Sequence, residues 1–453
     1  MAIMVTYVDI HGFNSVRDNE CCSRHTFFWL LILLASTLYA AYQCYSITYT
    51  FTQKRALTEV SKEYVDSMWF PQLLVCSTVP WNFHKLKEDG FNSYYMPLFY
   101  TGTQRNPYKH VVRKPEAHRY LETFANFSLS SFYMNYGIQC NETFAYCDRA
   151  SVSFDCCDPN NTIPYLHPIF GKCYLFKNLG QQYRLDSDDR ITIVMKWNKQ
   201  AHEQYNKYIN DRLEVGYVIE LGANVFPMPT HREENLSVGK LNKVVVNQRQ
   251  IVRIAGRSVS CVRPSENGSN IVLEENNCLY VEQQRICGCR TMGPLLAETD
   301  LEPCNPINID FCRNGSEHKH NVWSAALQRC RAPMKYATHY CAEWFVDYST
   351  KPAAFDKQTL ESMLGYPITQ KNDYTILFLQ NAFVGFQIEL MKDAQSFGEF
   401  ISLIGGQLGL WLGCSIISFI QLFVWILALI TDRLWVYSKR RVTLTDPATM
   451  PAV

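Results

Sequence analysis

The sequence has no excess of charge of either sign, since 43 lysine and arginine residues face 42 aspartate and glutamate residues. It also lacks a basic stripe interleaved with aromatic side chains, which a nucleic-acid-binding surface requires. Internal repeats and low-complexity segments are missing too. The balanced charge therefore predicts no nucleic-acid partner.

Motifs of common enzymes are missing as well. We find no nucleotide-binding phosphate loop, no HExxH zinc motif and no G-x-S-x-G nucleophile turn. Gly413-Cys414-Ser415 has potential nucleophiles, but it lies in an apolar run with no histidine beside it. We expect no enzymatic activity, no catalytic residue and no cofactor.

Charged residues are also missing from two long apolar runs, Thr26–Gln53 and Phe400–Thr431. Each exceeds the roughly 20 residues that a helix needs to cross a bilayer core. The second run is longer than a straight span requires, which predicts a tilted, broken or partly non-helical segment. A signal peptide is the alternative for the first run, but its apolar stretch is long and has no A-x-A-like exit. A buried core helix is the alternative for either.

Potential glycosylation sites indicate which part of the chain faces outward. The N-x-S/T acceptors all lie between the two runs, at Asn126, Asn141, Asn160, Asn235, Asn267 and Asn314. The second run is followed by four basic residues, Arg433, Lys439, Arg440 and Arg441, which favour a cytoplasmic flank. We therefore expect a two-pass plasma-membrane protein with both termini in the cytoplasm.

The cysteines agree with an extracellular middle region. Fourteen of the 18 lie between Cys76 and Cys341. An even, dense set between glycosylation sites predicts a disulfide framework in an oxidising compartment. Zinc binding is the alternative, because Cys156-Cys157 and Cys287-Gly-Cys289 resemble ligand pairs, but the spacings match no standard finger. We expect no metal site.

Short strand and helix patterns alternate through the middle region, which predicts a mixed α+β domain. The strand-like stretches are Leu73–Val75, Ile191–Trp197, Val215–Leu221, Lys243–Ile254 and Tyr374–Glu389. The helical patterns are Glu116–Ala125, Trp323–Arg329 and Phe355–Leu364. The acidic stretch Glu298–Cys312 is predicted to be a disulfide-stapled loop or hairpin.

Small residues recur in the second apolar run, with Gly405, Gly409 and Gly413 four residues apart. On a helix they share one face, which favours either a tight helix contact or the lining of a pore. Gly413-Cys414-Ser415 could break the helix and turn carbonyl oxygens toward an ion. The residues alone leave both readings open.

Several motifs then occur in a fixed order along the chain. They are His11-Gly12, the run FPQLLVC at Phe70–Cys76, the run GKCYLF at Gly171–Phe176, the C-x8-C-x-C spacing at Cys278–Cys289, and Gly405–Leu410 with Gly413–Ser415. Together they resemble the degenerin/epithelial sodium channel/acid-sensing ion channel family over nearly the whole chain.

The resemblance implies a trimeric α+β membrane protein with two transmembrane helices and a hand-like, β-rich, disulfide-rich extracellular domain. The expected order is a cytoplasmic tail (1–25), a first transmembrane helix (26–50), the extracellular domain (51–396), a second transmembrane helix (397–431) and a cytoplasmic tail (432–453). Sodium ions, membrane lipid and related subunits in a homo- or heterotrimer are the implied partners.

The resemblance also implies residue roles. Gly413, Cys414 and Ser415 would form the selectivity filter, and His11-Gly12 would be a gating motif. Ser402 would lie where bulky substitutions hold the pore open, with Gly405, Gly406 and Gly409 in the same pore helix. The implied disulfides are Cys76–Cys173, Cys287–Cys312 and Cys289–Cys304.

The sequence departs from the family pattern at a few positions. Met334 stands in place of a thumb cysteine in the run Cys330–Met334, so we expect one bridge to be rerouted to Cys341. Leu403 replaces an aspartate of the acid-sensing members, and Gln421 replaces a common glutamate. The predicted function is that of a sodium-permeable, amiloride-sensitive, voltage-independent channel subunit that is gated through its extracellular domain. The sequence does not decide whether the stimulus is a ligand, a proton or a mechanical force. A non-conducting two-pass receptor or an auxiliary subunit is the alternative.

Overall fold

The computed structural model describes residues 24–92, 115–123, 128–167, 170–183, 189–197, 216–222, 234–261 without 257, and 340–413. It also describes short pieces between 278 and 330 and the isolated residues 95, 199 and 431. The chain divides into two compact units. The central domain comprises residues 58–255 and 259–391, and the helical unit comprises residues 1–57, 256–258 and 392–453.

Strands dominate the central domain. The strands are β1 (Ala56–Tyr64), β2 (Met68–Trp69), β3 (Gln72–Ser77), β4 (Phe144–Arg149), β5 (Val152–Phe154), β6 (Thr162–His167), β7 (Gly171–Phe176), β8 (Gln181–Gln182), β9 (Ile191–Lys196), β10 (Gly216–Gly222), β11 (Glu234–Ser237), β12 (Leu241–Arg253), β13 (Ala342–Ala353), β14 (Tyr374–Asn381) and β15 (Gly385–Asp393). The helices within the described residues are α1 (Arg24–Thr52), α2 (Phe83–Glu88), α3 (Pro115–Glu122), α4 (Leu129–Tyr136), α5 (Cys140–Thr143), α6 (Lys357–Leu364) and α7 (Phe397–Leu412), with a 3-10 turn at Lys371–Asp373.

An eight-stranded sheet organises the domain in the order β1-β15-β12-β14-β9-β4-β5, with β13 paired to β12. Strand β12 is its longest member. It pairs with β13 over its length, and in parallel with β14 along its first half and β15 along its second. The prediction of a single strand over Tyr374–Glu389 is wrong, because this segment forms two strands, one ending at Asn381 and the other beginning at Gly385. A Cβ at Gly385 would collide with the Glu63 carbonyl oxygen, so this close approach requires glycine.

A five-stranded sheet in the order β11-β10-β3-β7-β6 packs on the large one. Alternate β-branched and aromatic side chains of both sheets bury a shared core that includes Val75, Ile219, Ile193, Val246 and Leu379. Helix α6 covers the outer face of the large sheet. Its N-terminus is capped by Asp356, and it ends at the left-handed Gly365. These layers confirm a β-rich α+β domain.

Disulfides join both distant and neighbouring segments, with sequence separations from 9 to 97 residues. Six bridges involve described residues: Cys76–Cys173, Cys140–Cys157, Cys147–Cys156, Cys261–Cys341, Cys278–Cys330 and Cys289–Cys304. The first and last have the pairing that the resemblance implied, whereas Cys287 and Cys312 lie outside the described residues.

The bridge that we expected to be rerouted to Cys341 joins Cys341 to Cys261. Cys341 directly precedes β13, and its carbonyl accepts the backbone N–H of Arg253 at the end of β12. This register places Cys341 beside Cys261, to which it is bonded, while Cys330 bonds to Cys278.

The helical unit contains α1 and α7. Within the described residues one helix is long and apolar enough to cross a membrane, by length and composition, over Leu30–Thr52. Helix α7 is also apolar but has only 16 described residues. It begins with a capping box, in which Ser396 and Glu399 exchange side-chain and backbone hydrogen bonds. Residues 414–430 of the second apolar run lie outside the described part of the chain.

Candidate functional site

Helices α1 and α7 pack against each other through aromatic side chains. The Phe51 ring stacks on Phe400 with centroids 4.0 Å apart, and the Tyr39 ring meets Trp411 edge-on at 4.6 Å. One contact is near the end of α1 and the start of α7, and the other lies about three turns away along both helices. The helices are therefore antiparallel, and one side of α7 is covered by α1.

The opposite side of α7 carries small residues. At roughly 100° per residue, Ser402, Gly405, Gly406 and Gly409 cluster on the side facing away from Trp411. A Cβ built at Gly405 or Gly406 would meet nothing within 4 Å. This small-residue face (Ser402, Gly405, Gly406, Gly409) thus has room for another helix or for water.

Helix α7 ends at Gly413, the first residue of the predicted filter. Gly413 has φ 65° and ψ 17°, a left-handed conformation that favours glycine. Its N–H bonds back to the carbonyls of Gly409 and Leu408. The remaining carbonyls of the last turn carry the negative end of the helix dipole, which favours a cation nearby.

Other predicted site residues have different outcomes. Asn141, Asn160 and Asn235 are exposed on the central domain, as glycan acceptors must be. His11, Gly12, Cys414, Ser415, Asn126, Asn267 and Asn314 lie outside the described residues.

Short linkers connect the helices to strands. Three residues separate α1 from β1, and three separate β15 from α7. The Ala394 N–H donates to the Arg55 carbonyl at 2.9 Å, so the two linkers are hydrogen-bonded to each other.

A charged network fastens β15 within the central domain. Arg249 on β12 donates to Asp347 on β13 at 2.5 Å and to both carboxylate oxygens of Glu389 on β15 at 3.2 Å. Partial burial acts to lower the pKa of Arg249, but the Asp347 and Glu389 carboxylates outweigh it and raise that pKa. Arg253 forms a second, buried pair with Glu343 on β13.

Sequence reasoning missed the aromatic side of α7 and the linker residues Lys54 and Arg55. Phe397, Phe400 and Trp411 recur at helical spacing, and this signal could have located the contact with α1. The S-x-x-E sequence at Ser396–Glu399 also marks the start of α7.

Comparison with known proteins decides the family. A sequence model described as "Amiloride-sensitive sodium channel" matches residues 5–425. The chain belongs to the amiloride-sensitive sodium channel family. It is therefore a membrane protein and a cation-channel subunit of the degenerin/epithelial sodium channel type, not an enzyme.

Individual relatives have low sequence identity to this chain, but the matches cover most of its length. A "Bile acid-sensitive ion channel" of Rattus norvegicus is 22% identical over 455 residues, covering 94% of this chain and 86% of the relative. An "Epithelial sodium channel subunit gamma" of Bos taurus is 20% identical over 345 residues, covering 68% of this chain and 50% of the relative. A cryo-EM structure of a proton-activated chloride channel aligns with a TM-score of 0.33 and 9% identity, covering 91% of this chain and 98% of that one, which is too weak to support an argument.

Proposed function

We propose that the chain forms a sodium-permeable, amiloride-sensitive, voltage-independent channel as a trimer in the plasma membrane. Helix α7 lines the pore with its small-residue face, and residues 397–431 form the second transmembrane segment. Gly413, Cys414 and Ser415 form the filter, and His11-Gly12 modulates opening from the cytoplasm. The observation that carries the proposal is the small-residue face of α7, which no other described residue covers at Gly405 and Gly406, and the end of α7 at the left-handed Gly413.

The proposed gating runs through the central domain, which we place outside the cell. Strand β15 is held by Arg249 and continues through three residues into α7. A stimulus that moves β15 therefore acts directly on the start of the pore helix. The rat relative is named for bile acids, so a bile salt is the first stimulus that we propose to apply.

The conduction test is a voltage-clamp recording of cells expressing this chain alone. We expect an inward current that disappears when external sodium is replaced by a large organic cation and when amiloride is applied. In Gly413→Val the β-branched residue is strained at positive φ, so we expect loss of this current with surface protein retained. A current that persists unchanged in Gly413→Val would contradict the assigned filter.

An auxiliary role is the second candidate, because the bovine relative is named as a channel subunit. Gln421 supplies no negative charge where many members have glutamate. If the chain reaches the surface but carries no current alone, co-expression with a related subunit will produce current only in the heteromer. No current in any combination would favour a non-conducting receptor.

The outward placement of the central domain has its own test. We expect Asn141→Gln, Asn160→Gln and Asn235→Gln each to remove one glycan, because all three acceptors are exposed. The measurement is the mass shift on a denaturing gel with and without endoglycosidase. Asn161→Gln is the matched control, since it neighbours Asn160 but accepts no glycan. An unglycosylated wild-type chain at the cell surface would contradict this topology.

A further inference from the structure

A cleft lies where α1 ends, entirely within the helical unit. Thr50, Phe51, Lys54 and Arg55 form one side, and Asp393 and Gln395 of the linker to α7 form part of the other. If α1 crosses a membrane with its apolar span, which ends at Thr52, this cleft is at the level of lipid head groups.

Two cations of the cleft are available to a ligand. Lys54 and Arg55 are exposed, and neither side chain forms a hydrogen bond or ion pair with any described residue. Asp393 is the one carboxylate among the described residues that line the cleft, and it is engaged, because it accepts the Ser258 N–H at 2.8 Å and packs against Gly256. The cleft therefore has a net positive charge with its acid turned toward a loop.

A buried acceptor points to a ligand as well. The Gln395 Oε1 atom is buried and has no hydrogen-bond partner among the described residues. A buried acceptor that is left unpaired destabilises the folded state. A ligand hydroxyl would satisfy it, and a turn of the amide would instead present an N–H donor to an oxyanion.

The apolar side of the cleft is aromatic. Phe51 lines the cleft and stacks on Phe400, so an apolar chain can follow the surface of the paired helices from this point. Cations beside an apolar surface at a membrane interface are the complement of an anionic amphiphile.

We propose that this cleft binds the negatively charged head group of an amphiphile in the outer leaflet, with Lys54 and Arg55 as the anion-binding residues. The assignment to the outer leaflet rests on the proposed channel function and its topology. A bile salt is an amphiphile of this class. Because the cleft includes both linkers, which are joined by the Ala394–Arg55 hydrogen bond, its occupant biases the gate.

The test uses the purified full-length chain in neutral detergent at alkaline pH, with bound ligand counted by native mass spectrometry. The probes are oleate, its uncharged methyl ester, and acetate, which shares the carboxylate but has no chain. The test variant is Lys54→Gly/Arg55→Gln. Lys54 has φ 50°, so glycine at this position removes the charge without straining the end of α1. Lys87→Gln/Lys243→Gln, with two exposed lysines of the central domain, is the charge-matched control.

We expect oleate to bind the wild type and the control equally, and the test variant at least about tenfold more weakly. For methyl oleate and for acetate, we expect equal binding by the wild type and the test variant. Equal oleate binding by the variant, or equal wild-type binding of methyl oleate, would overturn the proposal. If acetate bound the wild type as tightly as oleate does, the cleft would be a site for free anions, and the proposal would be overturned as well. Binding is counted without any current, so a chain that binds oleate but does not conduct refutes only the proposed function.

Discussion

A chain carrying Ser402→Phe should conduct sodium without a stimulus. Ser402 lies on the small-residue face of α7, which no described part of the same chain covers. In the proposed trimer, the closed state brings three such faces together at the axis. A phenylalanine ring does not fit a helix contact made by serine and glycine, so the substitution destabilises the closed state relative to the open one.

The expected size follows from overpacking. Inserting bulk into a close-packed contact costs about 1–3 kcal/mol, which corresponds to a shift of roughly 5-fold to 150-fold toward the open state. The measurement is the amiloride-blocked current at rest, divided by the amount of protein at the cell surface.

Ile401→Phe is the matched control for this substitution. Ile401 is the neighbouring residue on α7, is 44% exposed, and points about 100° away from Ser402. We expect its resting current to remain near that of the wild type. If Ile401→Phe and Ser402→Phe gave the same current, bulk anywhere on α7 would suffice and the small-residue face would not be the gate.

Helices α1, α3 and α6 could be predicted closely because their signals are local, whereas α2, α4 and α5 were not predicted. The uncharged run Thr26–Gln53 predicted the position of α1, and the helix begins at Arg24 and ends at Thr52. The predicted strand Ile191–Trp197 begins with four β-branched residues and forms β9, which ends at Lys196. Gly413 was a candidate helix breaker, and α7 ends there.

The strand order could not be predicted, because it depends on contacts between distant segments. Strand β12 pairs with β13, β14 and β15, which all follow it by about a hundred residues or more. No local pattern at Leu241–Arg253 indicates these partners. The split of Tyr374–Glu389 has the same cause, since the collision that fixes Gly385 involves Glu63 of another strand.

Cysteine pairing shows the same limit on a smaller scale. Cys140, Cys147, Cys156 and Cys157 allow three pairings by sequence. The hairpin of β4 and β5 places Cys147 opposite Phe154, two residues before Cys156, and this register selects Cys147–Cys156. Cys140 then bonds to Cys157. The pairing of these cysteines depends on strand register, which the positions of the four cysteines in the sequence do not specify.

The buried pair of Arg253 and Glu343 should be the most sensitive point of the central domain to a single substitution. The two side chains are 7% and 3% exposed, and Arg253 also donates to the Tyr340 carbonyl at 2.8 Å. Replacing Arg253 with methionine leaves the Glu343 carboxylate buried without its counter-charge. Breaking a buried pair in this way costs about 3–5 kcal/mol, a large part of the 5–15 kcal/mol that holds a typical domain folded.

The double variant Arg253→Met/Glu343→Leu separates the loss of the pair from the stranded charge. It removes both charges and fills similar volume with apolar atoms, so most of the lost stability should return. Lys357→Met breaks an exposed pair with Glu361 and is the control, with an expected effect of about 0–1 kcal/mol. The measurement is the unfolding temperature of the purified chain, together with the fraction that reaches the cell surface. If the double variant is no more stable than Arg253→Met, packing and the Tyr340 hydrogen bond explain the loss, and the stranded Glu343 carboxylate does not.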